Sequence, residues 1–242
     1  MPLLFGAEPP SQLAQVTAIW IEGRGPAAEY FVNNAKGQPQ KLAVGAGSRG
    51  APVTIGSVGQ TVVILRKAEA PSTGGAAAYE PAGEIAWPTG GSRKILLLLA
   101  AGAPASKTTS PAVKGIALAD DLNGFPVGSF KITNFLNMEL FGRVGDTMRP
   151  IPPGASPALP YPVAPLPPGE KRTQNFALGF ARNIEGGRTD LFYNGRVDAW
   201  PHSRTLVLIL PGQNAKADPV VRTVFEVVAP QPLTPPSGGK LR

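Results

Sequence analysis

Apolar and polar residues alternate along this chain in short runs of period two, the pattern of strands buried on one face. The first run is Gln15-Val16-Thr17-Ala18-Ile19-Trp20-Ile21, and others follow at Glu29–Asn33, Gln40–Val44, Pro52–Ile55 and Gln60–Leu65. Glu84–Trp87 is stopped by Pro88, which has no N–H to give to a ladder. Lys94–Ala100 breaks the alternation. Its Ile95-Leu96-Leu97-Leu98-Leu99 core, flanked by Gly90-Gly91 and Gly102, predicts a central strand buried on both faces. Later strands are expected at Val113–Leu118, Ser129–Thr133, Met138–Val144, Asn175–Phe180, Asp190–Tyr193, Arg196–Trp200, Thr205–Leu210 and Val220–Val228. Turn residues separate them at roughly 8–15 positions, near the spacing of sandwiches and barrels. No stretch carries the helical period.

The chain also resembles itself. Phe31-Val32-Asn33-Asn34 matches Lys131-Ile132-Thr133-Asn134, and Val44-Gly45 matches Val144-Gly145. Gly83–Pro88 matches Gly195–Pro201, so that Trp87-Pro88 answers Trp200-Pro201. Ser92–Leu97 then resembles Ser203–Leu208, and Val113–Leu118 resembles Val220–Phe225. The expected fold is therefore all-β: a tandem duplicated β-sandwich of two Greek-key-like lobes, about seven or eight strands each. The lobes are placed at 14–118 and 119–229, after an N-terminal segment 1–13 and before a disordered tail 230–242. Segment 149–169 is read as a proline-rich insertion of the second lobe, with nine prolines in Pro150–Pro168.

Composition sharpens this picture. The 29 glycines and 28 prolines among 242 residues are roughly twice average usage and argue against a helical bundle. No apolar run is long enough to cross a membrane as a helix. There is no cysteine, so disulfides, thiolate metal sites and a cysteine nucleophile are all excluded. Leu3-Leu4-Phe5-Gly6-Ala7 resembles the end of a signal-peptide apolar region, which with the sandwich pattern suggests an extracytoplasmic protein. The net charge is +7, yet Lys and Arg are scattered instead of gathered in tracts, which counts against nucleic acid.

Candidate chemistry is sparse. Gly45-Ala46-Gly47-Ser48-Arg49-Gly50 has the dinucleotide-loop spacing, but Ala51–Ile55 continues as strand where that loop needs a helix, so a glycine-rich hairpin is expected. Asp198, His202 and Ser203 invite a triad reading, against which stands an ordinary proline turn at a strand end. Asp120-Asp121-Leu122-Asn123-Gly124 looks like half a calcium loop, but it lacks the closing acid and reads as an Asx turn. No cofactor or metal is expected. Trp20, Trp87 and Trp200 are expected in the core, and Phe125, Phe130, Phe135 and Phe141 in the core or between lobes.

Two surfaces could serve partners. Pro160, Tyr161, Pro162 and Pro165 could form an extended arm for an aromatic groove, or a loop lying across its own sandwich, which the sequence favours. Arg143, Arg149 and Arg188, with Arg24 and Arg49, could bind an anionic polymer if folding brings them together. The sequence thus points to a non-enzymatic, extracytoplasmic structural or assembly protein, joined to a protein partner or to itself through the proline-rich arm. A binding module for a carbohydrate or anionic polymer is the alternative, and a hydrolase using carboxylates is third.

Overall fold

The structure, a computed structural model, describes residues 13–22, 25–26, 28–56, 61–68, 78–102, 113–164, 173–184, 188–200, 202–212, 214 and 217–228. The N-terminal segment up to residue 12, the tail from 229, Arg24 and Pro165 lie outside the described residues. Among those residues there are eighteen strands and no helix. The chain divides into two compact units, Met1–Phe125 and Pro126–Arg242.

In the first unit, sheet A takes β1 (Ala14–Trp20), β4 (Val44–Ala46), β5 (Val53–Ile55), β8 (Lys94–Ala101) and β9 (Val113–Ala119). Sheet B takes β2 (Tyr30–Asn33), β3 (Pro39–Leu42), β6 (Thr61–Lys67) and β7 (Tyr79–Ala86), in the order β3-β2-β6-β7. At the centre of sheet A, β1 and β8 run parallel, with Val16 beside Ile95 and Trp20 beside Leu99. Alternate residues of both sheets meet in one core: Val16, Ala18 and Trp20 with Ile95, Leu97 and Leu99 from sheet A, and Tyr30, Val32, Val62, Ile64 and Ile85 from sheet B. The apolar run of β8 is buried on both faces, as its lack of alternation predicts.

The second unit repeats this plan strand for strand. Sheet C holds β10 (Ser129–Asn134), β13 (Gly154–Ala155), β14 (Leu159–Pro160), β17 (Ser203–Leu210) and β18 (Val220–Val227). Sheet D holds β11 (Leu140–Val144), β12 (Thr147–Ile151), β15 (Gln174–Ile184) and β16 (Arg188–Ala199), in the order β12-β11-β15-β16. Again the central pair, β10 and β17, is parallel. The core is Phe130, Ile132, Val207 and Ile209 from sheet C, against Leu140, Val144, Phe176, Leu178 and Phe180 from sheet D. The protein is thus all-β, a tandem of two similar sandwich lobes, with nine strands in each among the described residues instead of the seven or eight expected.

The duplication is clearest in two bulged hairpins. In the β6–β7 hairpin Ile64 pairs with Gly83 and Leu65 with Pro81, leaving Ala82 as a bulge. In β15–β16, Phe180 pairs with Tyr193 and Ala181 with Leu191, leaving Phe192. In each hairpin the next cross-strand pair is a salt bridge: Arg66 Nη2 to Glu80 Oε1 at 2.6 Å, and Arg182 Nη2 to Asp190 Oδ2 at 2.8 Å.

This register corrects the self-alignment. Phe31–Asn33 lies on β2 and Lys131–Asn134 on β10, which are not counterparts, because β10 occupies the place of β1. Val44-Gly45 on β4 and Val144-Gly145 at the end of β11 do not correspond either. The Ser92 and Ser203 blocks do fall on counterpart strands, but one residue out of step. Ile95 faces the core, whereas its sequence match Leu206 is not in the core cluster and Val207 is. The segment read as an insertion supplies β12, β13 and β14, the counterparts of β3, β4 and β5, although β4 runs parallel to β1 and β13 antiparallel to β10.

Candidate interaction surface in the second lobe

The proline-rich segment lies on its own lobe. Leu159 and Pro160 pair with Phe130 and Ser129 of β10. Tyr161 then turns inward, its ring 6.4 Å from Phe130 and 5.9 Å from Phe176. Its hydroxyl sits 3.1 Å from Ser203 Oγ and 2.9 Å from Thr205 Oγ1. Burial pushes the Tyr161 phenol above its ordinary pKa, against the pull of those two hydroxyls. Pro162 is exposed and Val163 packs on the core. An aromatic anchored in this way is not presented to a groove on another protein.

Nor do Arg143 and Arg149 share one face. Arg143 stands opposite Met148, and Arg149 opposite Gly142, so alternation sends these neighbouring side chains to opposite faces of sheet D. Arg188 lies at the far end of the β15–β16 hairpin, beside Ile184. Arg49, in the other lobe, is ion-paired with Asp120.

The remaining candidates settle into turns. After Gly45 and Ala46 the chain leaves β4 through a bend and re-enters sheet A as β5, with no helix at that place. A Cβ on Gly50 would stand 1.6 Å from the Ala43 carbonyl oxygen, so this glycine serves close backbone packing. Asp121 Oδ1 accepts from the Gly124 amide at 2.7 Å and Oδ2 from Ser92 Oγ at 2.6 Å, an Asx turn with both oxygens engaged. Among the described residues no three His, Asp or Glu side chains come together as a metal site. Ser203 is fully buried and donates to the Trp200 carbonyl at 2.7 Å, while Asp198 and His202 are exposed. These three side chains make no hydrogen bond to one another.

What sets the second lobe apart is apolar surface. On the outer face of sheet D, Phe141 of β11, Met148 of β12 and Leu191 of β16 stand 37%, 63% and 60% exposed. They surround a depression of about 180 Å³ floored by Gly179 and Ala181, with Arg143 Nη2 held by Asn194 Oδ1 at 3.1 Å. Phe141 is therefore not in the core, and the signal for this was available: Leu140, Gly142 and Val144 share one face, leaving Phe141 and Arg143 on the other.

The same place in the first lobe is roofed. Phe31, paired with Leu65 as Phe141 is with Ala181, packs edge-on against Tyr79 at 4.9 Å under Lys67, 5.8 Å from its ring centre. Lys67 and Lys41 both bond Glu29, whose carboxyl they hold below its usual range, Lys41 most strongly.

A second contrast lies at the sandwich edge. In the first lobe β7 and β9 come together so tightly that a Cβ on Gly83 would stand 2.2 Å from the Val113 carbonyl oxygen. The bulge register places Tyr193 in the second lobe where Gly83 stands in the first, and Phe192 where Ala82 stands. Both rings stack on Phe180, at 5.9 and 6.4 Å, and β16 and β18 do not close in the same way. Trp200 and Phe225, 5.9 Å apart, are left 45% and 41% exposed, and Val227 63%. Trp87 instead packs against its lobe's core and Trp20 is buried within it, so only Trp200 departs from the core placement.

No protein-family model matches the chain, and no curated protein sequence matches it.

Proposed function

We propose that the chain is a non-enzymatic structural or assembly protein, working outside the cytoplasm, whose second lobe supplies the contact surface. The observation that carries this reading is the asymmetry between two lobes of one plan. Where the first closes its β7–β9 edge and roofs Phe31 with Glu29, Lys41 and Lys67, the second leaves Phe141, Met148, Leu191, Trp200, Phe225 and Val227 in water. Scattered exposed apolar residues are ordinary. Exposure concentrated where a sister lobe of the same fold avoids it marks a surface kept for contact.

Sedimentation velocity of the full chain over a concentration series tests this. The expected result is a species heavier than the 25.1 kDa chain, reduced by lysine at Met148, Leu191 and Val227 together and unaffected by lysine at exposed Thr61 of the first lobe. A monomer at every concentration contradicts the assembly reading. Turnover that depends on a pair of carboxylates contradicts its non-enzymatic half.

A further inference from the structure

Strand β18 forms one end of sheet C. It joins β17 in an unbroken antiparallel register from Val220–Leu210 to Val227–Ser203, and the Val228 amide extends the ladder to the His202 carbonyl at 2.7 Å. That last bond fixes the phase. Even-numbered residues exchange hydrogen bonds with β17, so the N–H and C=O groups of Val221, Thr223, Phe225 and Val227 point out from the sheet edge. Proteins usually blunt such an edge with Lys, Pro, a bulge or a covering element. Its counterpart β9 carries Lys114 and lies against β7. Within β18 there is no Lys, Pro or bulge, and Thr223, Phe225 and Val227 are exposed.

We propose that this edge binds a second copy of the chain, β18 against β18, antiparallel about a twofold axis at Val224. This deepens the assembly reading and rests on it. In that register every outward N–H and C=O finds a partner, because Val221 meets Val227 and Thr223 meets Phe225 of the second copy. Arg222 falls opposite Glu226 at both ends, and Glu226 is held in place by Arg204 Nε at 2.7 Å. The strand is thus complementary to its own reverse in backbone phase, in charge and in apolar side chains. The pairing joins two five-stranded sheets C into one.

Because the chain has no cysteine, one engineered thiol reports the register. At the axis Val224 meets itself in a non-hydrogen-bonded pair, with Cα atoms about 4.5 Å apart, within disulfide reach. Val224→Cys in the full chain is expected to give a covalent dimer on oxidation and Thr223→Cys very little. Thr223→Lys, at an exposed position whose amide does not serve β17, is expected to shift a particle of twice 25.1 kDa to the monomer mass in light scattering while keeping the wild-type circular dichroism. If the wild type assembles but Thr223→Lys leaves it intact and Val224→Cys does not cross-link, the β18 pairing is overturned and the assembly reading stands. If the wild type is monomeric, both fall.

Discussion

At the residue scale, conformation and hydrogen bonding decide roles that composition leaves open. His202 is the one non-glycine residue with positive φ, 57°, among those described. It forms the turn that carries the chain from Trp200 into β17, and a left-handed residue with a Cβ costs roughly 1–2 kcal/mol. His202→Gly is therefore expected to leave stability unchanged or raise it by up to about 1 kcal/mol in urea unfolding; a clear loss would show that the imidazole itself holds the turn. Asp121 makes a pH prediction. The Ser92 hydroxyl first, then the Gly124 amide, holds its carboxyl below the usual range. A depressed folded-state pKa contributes stability above the unfolded value, and that contribution disappears as pH falls through the folded one. The melting temperature of Ser92→Ala should thus lie furthest below wild type at neutral pH, with the gap narrowing below about pH 4. A gap independent of pH would assign the loss to Ser92's other contacts. The Asx turn was legible in Asp121-Leu122-Asn123-Gly124; the strain at His202 was not, because a positive φ leaves no mark on a histidine's sequence context.

At the element scale, the β6–β7 and β15–β16 hairpins share a bulge and a salt bridge but differ beside the bulge, Ala82-Gly83 against Phe192-Tyr193. That difference controls whether the sandwich edge closes. Gly83→Ala would put a methyl against the Val113 carbonyl oxygen and force β7 from β9, at a cost of about 2 kcal/mol or more. Gly179→Ala, whose nearest neighbour is the Tyr193 carbonyl oxygen at 3.5 Å, should change stability by less than about 1 kcal/mol. Equal effects in denaturant unfolding would refute the closure argument. Strand positions were largely legible, some from period-two alternation, as in β5 and β11, and others from short apolar runs bounded by turn residues, as in β8 and β17. The strands expected at Asp190–Tyr193 and Arg196–Trp200 form one, β16, since Asn194-Gly195, a turn signal in sequence, pairs in regular register with Gly179 and Leu178. The proline-rich strands β12–β14 were missed because short edge pairings need few N–H groups and tolerate proline. The bulge and its Arg–acid pair carry the duplication better than the Trp-Pro match does, but they become visible only once strands are paired.

At the scale of the whole molecule, one plan was used twice and finished differently. The two-lobed all-β plan was legible from turn spacing and from the later half of the self-similarity. The exposed apolar surface of the second lobe was legible only at Phe141, through the alternation of β11; Trp200 and Phe225 are residue types usually assigned to cores, and their exposure depends on what the neighbouring strand presents. The proline-rich segment, for which the sequence favoured a loop lying across its own sandwich over a docking arm, supplies β14 and the Tyr161 anchor of its own lobe. Removing it should unfold the second lobe instead of merely freeing a partner. The most direct test of the account is the solution mass of the intact chain, by light scattering across a dilution series. An assembly that dissociates on dilution, with a first step at twice 25.1 kDa, is the predicted result. A single 25.1 kDa species from the lowest to the highest concentration would contradict it.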